Sequence, residues 1–210
     1  MKIIYGTSNN AKKTQVEEFI KSRNIDVEIL SLKDIAFGDE IIEDGTTFEE
    51  NSLIKAKVIK DFCNKNNINE IILTDDAGLC VDCLNGEPGV YSARYAGEGA
   101  SQEQILNKLL DNMKDVKDPN RTAQFVCVLT AILPKNSKVV ISKGVTCGKI
   151  AYKPSFMGKL TYGPIFIPDG FDRTMNELTI EELGHTHREK ALIEMLDKIR
   201  TSSNTIWEGM

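Results

Sequence analysis

Apolar positions along the chain alternate between short unbroken runs and stretches of helical spacing. KIIY (residues 2–5), VEIL (27–30) and EIILT (70–74) read as buried strands. Between them, Ala11 to about Arg23 and Thr47 to about Lys65 read as helices. Thr47 with Glu50, and Ser101 with Gln104, fit the capping box, in which a helix-start hydroxyl and a Glu or Gln three residues on serve each other's backbone N–H. The second box opens a helix with Ile105, Leu106, Leu109, Leu110 and Met113 at helical spacing. TAQFVCVLTAIL (122–133) and KVVISKGVTCGKI (138–150), joined by PKNSK, predict an antiparallel hairpin. Ala191, Leu192, Met195, Leu196 and Ile199 share one face of a last helix, and the polar tail 201–210 is expected to fray. NGEPGVYSARYAGEGA (85–100) and LTYGPIFIPDGFDRTM (160–175) are predicted loops, long enough to suggest function.

Strands alternating with helices, then a hairpin, predict an α/β fold with a mixed sheet and flanking helices. The expected organisation is one domain over residues 1–200. Its second lobe lies at roughly 80–150, with a ligand cleft between the lobes.

Composition narrows the function. The 210 residues are 41% hydrophobic and 27% charged, in the soluble globular range. No apolar run reaches the ~18 residues that cross a bilayer, and MKIIYGTSNN lacks a leader's long apolar segment, so a cytoplasmic protein is expected. A net charge of −5 argues against nucleic acid but leaves a small phosphate ligand open, since a few local cations suffice for it. Cys80 and Cys83 form a CxxC with no second pair to complete a metal site, so the five cysteines read as reduced thiols.

Four patches could carry chemistry. In IIYGTSNNAKK, a strand and a turn bring Thr7, Ser8, Asn9, Asn10 and Lys12 to a helix start, where N–H groups and the dipole favour an anion. The competing reading is an ordinary capped helix. In TTFEENSLIKAK, Asn51 and Lys55 are four apart on one helix face, with Glu50 beside them as a metal ligand or merely as the capping acid. In IILTDDAG, a buried strand delivers Asp75 and Asp76 together, as Mg²⁺ sites built from carboxylates and phosphate oxygens require, or as an Asp-rich turn would. GHTHREK holds the chain's two histidines, His185 and His187, with Arg188, either a ligand grip or an exposed helix start.

The order of these motifs, from GTSNNAK through TFEENSLIKAK, TDDAGLCVDCLNGEPGVYSARYAG and TMNEL to THREKAL, resembles the inosine triphosphate pyrophosphatase family over nearly the whole chain. The resemblance implies an elongated mixed α/β fold of two lobes, a homodimer, and Mg²⁺-dependent hydrolysis of non-standard purine nucleoside triphosphates to monophosphate and pyrophosphate. It implies triphosphate binding by Thr7, Ser8, Asn9, Asn10, Lys12 and Lys55, and metal binding by Glu50 and Asp76. Asp76 is the implied proton acceptor with Asp75 beside it, and Ala77, Tyr162, His187 and Arg188 are the remaining substrate contacts, the last two on the purine.

The chain departs from that pattern at the base side. Leu160 stands where the family has an aromatic, Gly163 where it has Asp, Glu182 where it usually has Lys, and Ala77 where it has Ser. A pyrophosphatase with a shifted base preference, or a nucleotide-binding protein without turnover, is therefore the alternative expectation.

Overall fold

The structure, a computed structural model, describes residues 1–134, 136–158 and 160–203. Lys135, Lys159 and the tail from 204 onward lie outside them, so the fraying expected of the tail falls largely outside the described residues.

Six strands, β1 (Lys2–Tyr5), β2 (Glu28–Leu30), β3 (Ile71–Val81), β4 (Thr122–Ile132), β5 (Val139–Ile150) and β6 (Phe166–Pro168), form one sheet in the order β2-β1-β3-β4-β5-β6. β1 runs parallel to β2 and β3, and β6 runs antiparallel to β5, so the sheet is mixed as the strand pattern predicts. The helices are α1 (Asn10–Ser22), α2 (Phe48–Lys65), α3 (Gln102–Asn112), α4 (Ile180–Leu183) and α5 (His187–Ser203). Both predicted capping boxes form: Thr47 and Glu50 start α2, and Ser101 and Gln104 start α3. A 590 Å³ cavity elsewhere in the fold is lined mainly by Asp82, Asp115, Lys117, Asp118, Asn120 and Thr122.

Contacts divide the chain into two units. The first comprises residues 1–76, 127–144 and 188–210, and the second 77–126 and 145–187. Both are assembled from separated segments, and residues 127–144, inside the middle span expected as a second lobe, belong to the first unit.

The first unit packs Ile4, Ala56, Ile59, Cys63, Ile72 and Ile132 into one apolar cluster, which removes the inner faces of β1, α2 and β3 from water. The apolar face predicted for α5 (Ala191, Leu192, Met195, Leu196, Ile199) is likewise buried. In the second unit, Leu106, Leu109 and Met113 of the α3 region pack with Leu79, Phe125 and Phe166. There Arg121, 2% exposed, donates to the carbonyls of Met113, Val116, Ile150 and Ala151. Those four bonds satisfy a buried guanidinium without a carboxylate.

Candidate active site

β3 does not end at its carboxylates. Asp75 and Asp76 lie in the middle of an eleven-residue strand, not in an Asp-rich turn. Successive strand residues point to opposite faces of a sheet, so the pair is split by geometry. Asp75 meets α1 and α5; Asp76 meets α2.

Asp75 is 1% exposed and its two oxygens are divided among three donors. Tyr5 donates its hydroxyl to Oδ1 at 2.9 Å. Lys12 Nζ and Arg188 Nη2 both reach Oδ2, at 2.8 and 3.0 Å. Burial alone would push this carboxyl up, but Lys12 and Arg188 outweigh burial and hold it well below the usual carboxylate range. Arg188 also donates to Gln15 Oε1 at 2.9 Å, while its buried Nε has no hydrogen-bond partner among the described residues. Two cations on one carboxylate leave one positive charge in excess, and Lys12, with a quarter of its side chain exposed, is the member open to solvent.

Lys12 is delivered there by the predicted anion turn. Asn9 caps α1, its Oδ1 accepting from the N–H groups of Ala11 and Lys12, and Thr7 Oγ1 accepts from the Asn9 N–H. Ser8, Asn9 and Asn10 are exposed around this start. Asn9 thus serves the helix as the ordinary reading held, and its capping sets the direction of the lysine.

The other face of β3 carries the opposite balance. Asp76, 8% exposed, has its carboxyl pushed up by burial, against the opposing pull of Lys55 and a hydrogen bond from Asn51. Asn51 uses both ends of its amide: Nδ2 donates to Asp76 Oδ2 at 3.1 Å, and Oδ1 accepts the Gly45 N–H at 2.8 Å. A Cβ on Gly45 would stand 2.7 Å from that Oδ1, so glycine is required for the loop to come this close. The loop so held carries Glu43, whose carboxylate forms an ion pair with Lys55 Nζ and whose charge also raises Asp76. Glu43 and Asp76 thus both act on the one ammonium of Lys55.

Glu43 is the residue that the sequence reading missed. It belongs to the acidic stretch GDEIIEDGTTFEEN, and the acid singled out there, Glu50, turns out to be engaged elsewhere. Glu50 Oε2 accepts from Thr46 N, Thr46 Oγ1 and Thr47 N, bonds that hold this exposed carboxyl below its usual range. Here it forms the cap, one of the two readings the spacing allowed. Asp76 and Glu43 are the pair suited to a divalent cation, which takes one or two carboxylates and completes its shell from phosphate and water. Among the described residues, no group of three or more His, Cys, Asp or Glu side chains could hold a metal ion from protein ligands alone.

The remaining candidates lie elsewhere. Arg188 and His187 are 7% and 6% exposed, so neither is an exposed helix start. Arg188 is bound to Asp75 and is not presented as a surface contact. In the second unit, His187 stacks on Phe125 with ring centres 4.9 Å apart and planes at 11°. Tyr162 is a core residue there, 3% exposed, and its hydroxyl is given to the Ser92 carbonyl at 2.8 Å. Ala77 follows Asp76 on β3 and belongs to the second unit.

The altered positions have local causes. Glu182 caps α4 and pairs with Arg173 at 2.6 Å. The Leu160 side chain packs against the second unit's core, and Gln102 holds its carbonyl. A Cβ on Gly163 would stand 2.1 Å from Asn176 Oδ1, so the Asn176 amide fills the space a side chain there would need.

Fold and site define a mixed α/β protein with a lysine-bearing turn on one face of a central strand and the acids Asp76 and Glu43 on the other. The chain belongs to the Ham1 family, which it matches over residues 3–198. It is 39% identical to the dITP/XTP pyrophosphatase of Clostridium perfringens over 203 residues, 95% of this chain and 98% of that one. Against the dITP/XTP pyrophosphatase of Bacillus subtilis it is 39% identical over 190 residues, 90% and 92% of the two chains. The Ham1 protein of Staphylococcus aureus superposes with a TM-score of 0.80 at 31% identity, covering 97% of this chain and all of that one.

Proposed function

We propose that this protein hydrolyses nucleoside triphosphates, the non-standard purines ITP, dITP and XTP among them, to nucleoside monophosphate and pyrophosphate. The observation that carries the reading is the arrangement on β3: Lys12 and Arg188 are paired with Asp75, and Asp76 and Glu43 act on Lys55. A metal–triphosphate complex brings a cation to the carboxylates and an anion to Lys12. The relatives named dITP/XTP pyrophosphatase support the substrate class.

In this reading Lys12, with Thr7, Ser8, Asn9 and Asn10 at the helix start, binds phosphate oxygens. Asp76 and Glu43 would hold Mg²⁺, with Glu50 as a further candidate ligand, and Lys55 would be freed to face the phosphates. When bound, the ion offsets charge on the phosphoryl oxygens and lowers the pKa of its water. Asp76, its carboxyl already raised by burial, is placed to accept a proton from the attacking water. Asp75 is no base, since its three donors keep it ionised and occupied. Ala77, Tyr162, His187 and Arg188 remain the other substrate-side candidates, with Tyr162 packed in the core and Arg188 held by Asp75.

Gly163, Asn176 and Glu182 support a second reading, in which the base preference is shifted from that of the relatives. A panel of ITP, dITP, XTP and the four common triphosphates with Mg²⁺ and resolved products tests both. Monophosphate with pyrophosphate is expected, and orthophosphate as the only product would refute the bond assignment. The family resemblance also suggests a cytoplasmic homodimer, and light scattering on a sizing column should give about twice the 23.4 kDa chain mass. No helix among the described residues is long and apolar enough to cross a membrane.

A further inference from the structure

Tyr5 ends β1, is fully buried, and gives its hydroxyl to Asp75 Oδ1 at 2.9 Å. That contact has a consequence for the two cations. An arginine facing a carboxylate ordinarily takes both oxygens with two parallel bonds. Here Oδ1 is occupied by the tyrosine, so Arg188 has only Oδ2, which it shares with Lys12. One of its nitrogens turns to Gln15, and Nε has no hydrogen-bond partner among the described residues.

We propose that Tyr5 is a positioning residue for triphosphate binding: its hydrogen bond to Asp75 Oδ1 orients the carboxylate against a two-oxygen Arg188 pair and keeps the Lys12 ammonium anchored at the turn. The inference rests on the reading of that turn as the triphosphate site. Tyr5 has no direct part in the chemistry, because it is fully buried and its hydroxyl is spent on the carboxylate. Its effect passes through Asp75 to Lys12.

Tyr5→Phe removes one hydroxyl and keeps the ring that packs the strand. Without the hydroxyl, Arg188 gains the second oxygen, and Lys12 loses its share of the carboxylate. The probe is inorganic tripolyphosphate, titrated calorimetrically in the absence of metal, into wild type, Tyr5→Phe, Lys12→Met and the double variant. Tyr5→Phe is expected to weaken binding by roughly three- to tenfold, the worth of one net hydrogen bond. In the Lys12→Met background the same change is expected to have almost no further effect, because its route to the ligand is gone. An unchanged dissociation constant for Tyr5→Phe overturns the proposal, as does an equal loss in both backgrounds, which would mark a general packing role. If wild type itself does not bind tripolyphosphate, the reading of the turn fails first and this inference falls with it. Circular dichroism and melting of each variant separate loss of binding from loss of fold.

Discussion

Asp75 and Asp76 are consecutive in the chain, yet no hydrogen bond or ion pair described at one is made to a partner of the other: Tyr5, Lys12 and Arg188 hold the first, and Asn51 donates to the second. The alternation of a β-strand turns one dipeptide into two sites of opposite need. Repulsion between neighbouring carboxylates is relieved by direction as well as by counter-charge.

The two acids should therefore respond oppositely to the same substitution. Asp75→Asn leaves the buried Arg188 and the part-exposed Lys12 without their anion, a loss of roughly 3 kcal/mol or more. For a chain of this size, a fall in Tm of about 5–15 °C at pH 7 is expected. Asp76→Asn removes a carboxylate that burial disfavours, so its Tm should equal or exceed that of wild type. Hydrolysis should nevertheless fall by at least ~10²-fold, the scale seen when one electrostatic stabiliser is removed. Thermal melts and initial rates on both variants check this.

The pH dependence follows with opposite signs. The Asp75 carboxyl is depressed in the folded state, so its contribution is present above the unfolded value near ~4 and is lost as pH falls toward the folded one. The Tm gap between wild type and Asp75→Asn should shrink as pH falls from about 6 to about 3. The Asp76 carboxyl is raised, so the stability of its protonated form is present below ~4 and lost as pH rises through the folded value. The advantage of Asp76→Asn should open as pH rises through that window.

Gly163 and Asn176 compete for one volume. Gly163→Ala alone should be destabilising by roughly 1–3 kcal/mol, the range for overpacking. Combining it with Asn176→Ala should recover most of that loss, although the Asn176 bond to the Phe156 carbonyl is forfeited. Melting temperatures of the two single variants and the double give the coupling, and additive losses would exclude shared space. The same variants, run on the nucleotide panel, report whether this pair governs the choice of base.

Much of the fold is legible in the sequence, because it rests on local rules. The Thr47 and Ser101 caps, the apolar face of α5 and the strand runs each carry a short-range signal that the tertiary structure keeps. The site is legible only in part. Lys12 and Asp76 can be found from motif chemistry, but the pairing of Asp75 with Arg188 spans 113 positions and leaves no local trace. Glu43 was hidden among neighbouring acids; what separates it from Glu50 is that the cap consumes one and leaves the other to Lys55. Tyr162 comes in only through the family resemblance; in the structure its hydroxyl donates to the Ser92 carbonyl in the core.

Separating the two faces of β3 by ligand tests the account most directly. Binding of metal-free tripolyphosphate, and of Mg²⁺ in the presence of a non-hydrolysable α,β-methylene analogue of ITP, is measured for Lys12→Met and Asp76→Asn. Lys12→Met should lose the tripolyphosphate, and Asp76→Asn should keep it while losing the Mg²⁺-dependent gain in analogue affinity. If Asp76→Asn binds Mg²⁺ with the analogue as wild type does, or Lys12→Met binds tripolyphosphate undiminished, the division of labour along this strand is wrong.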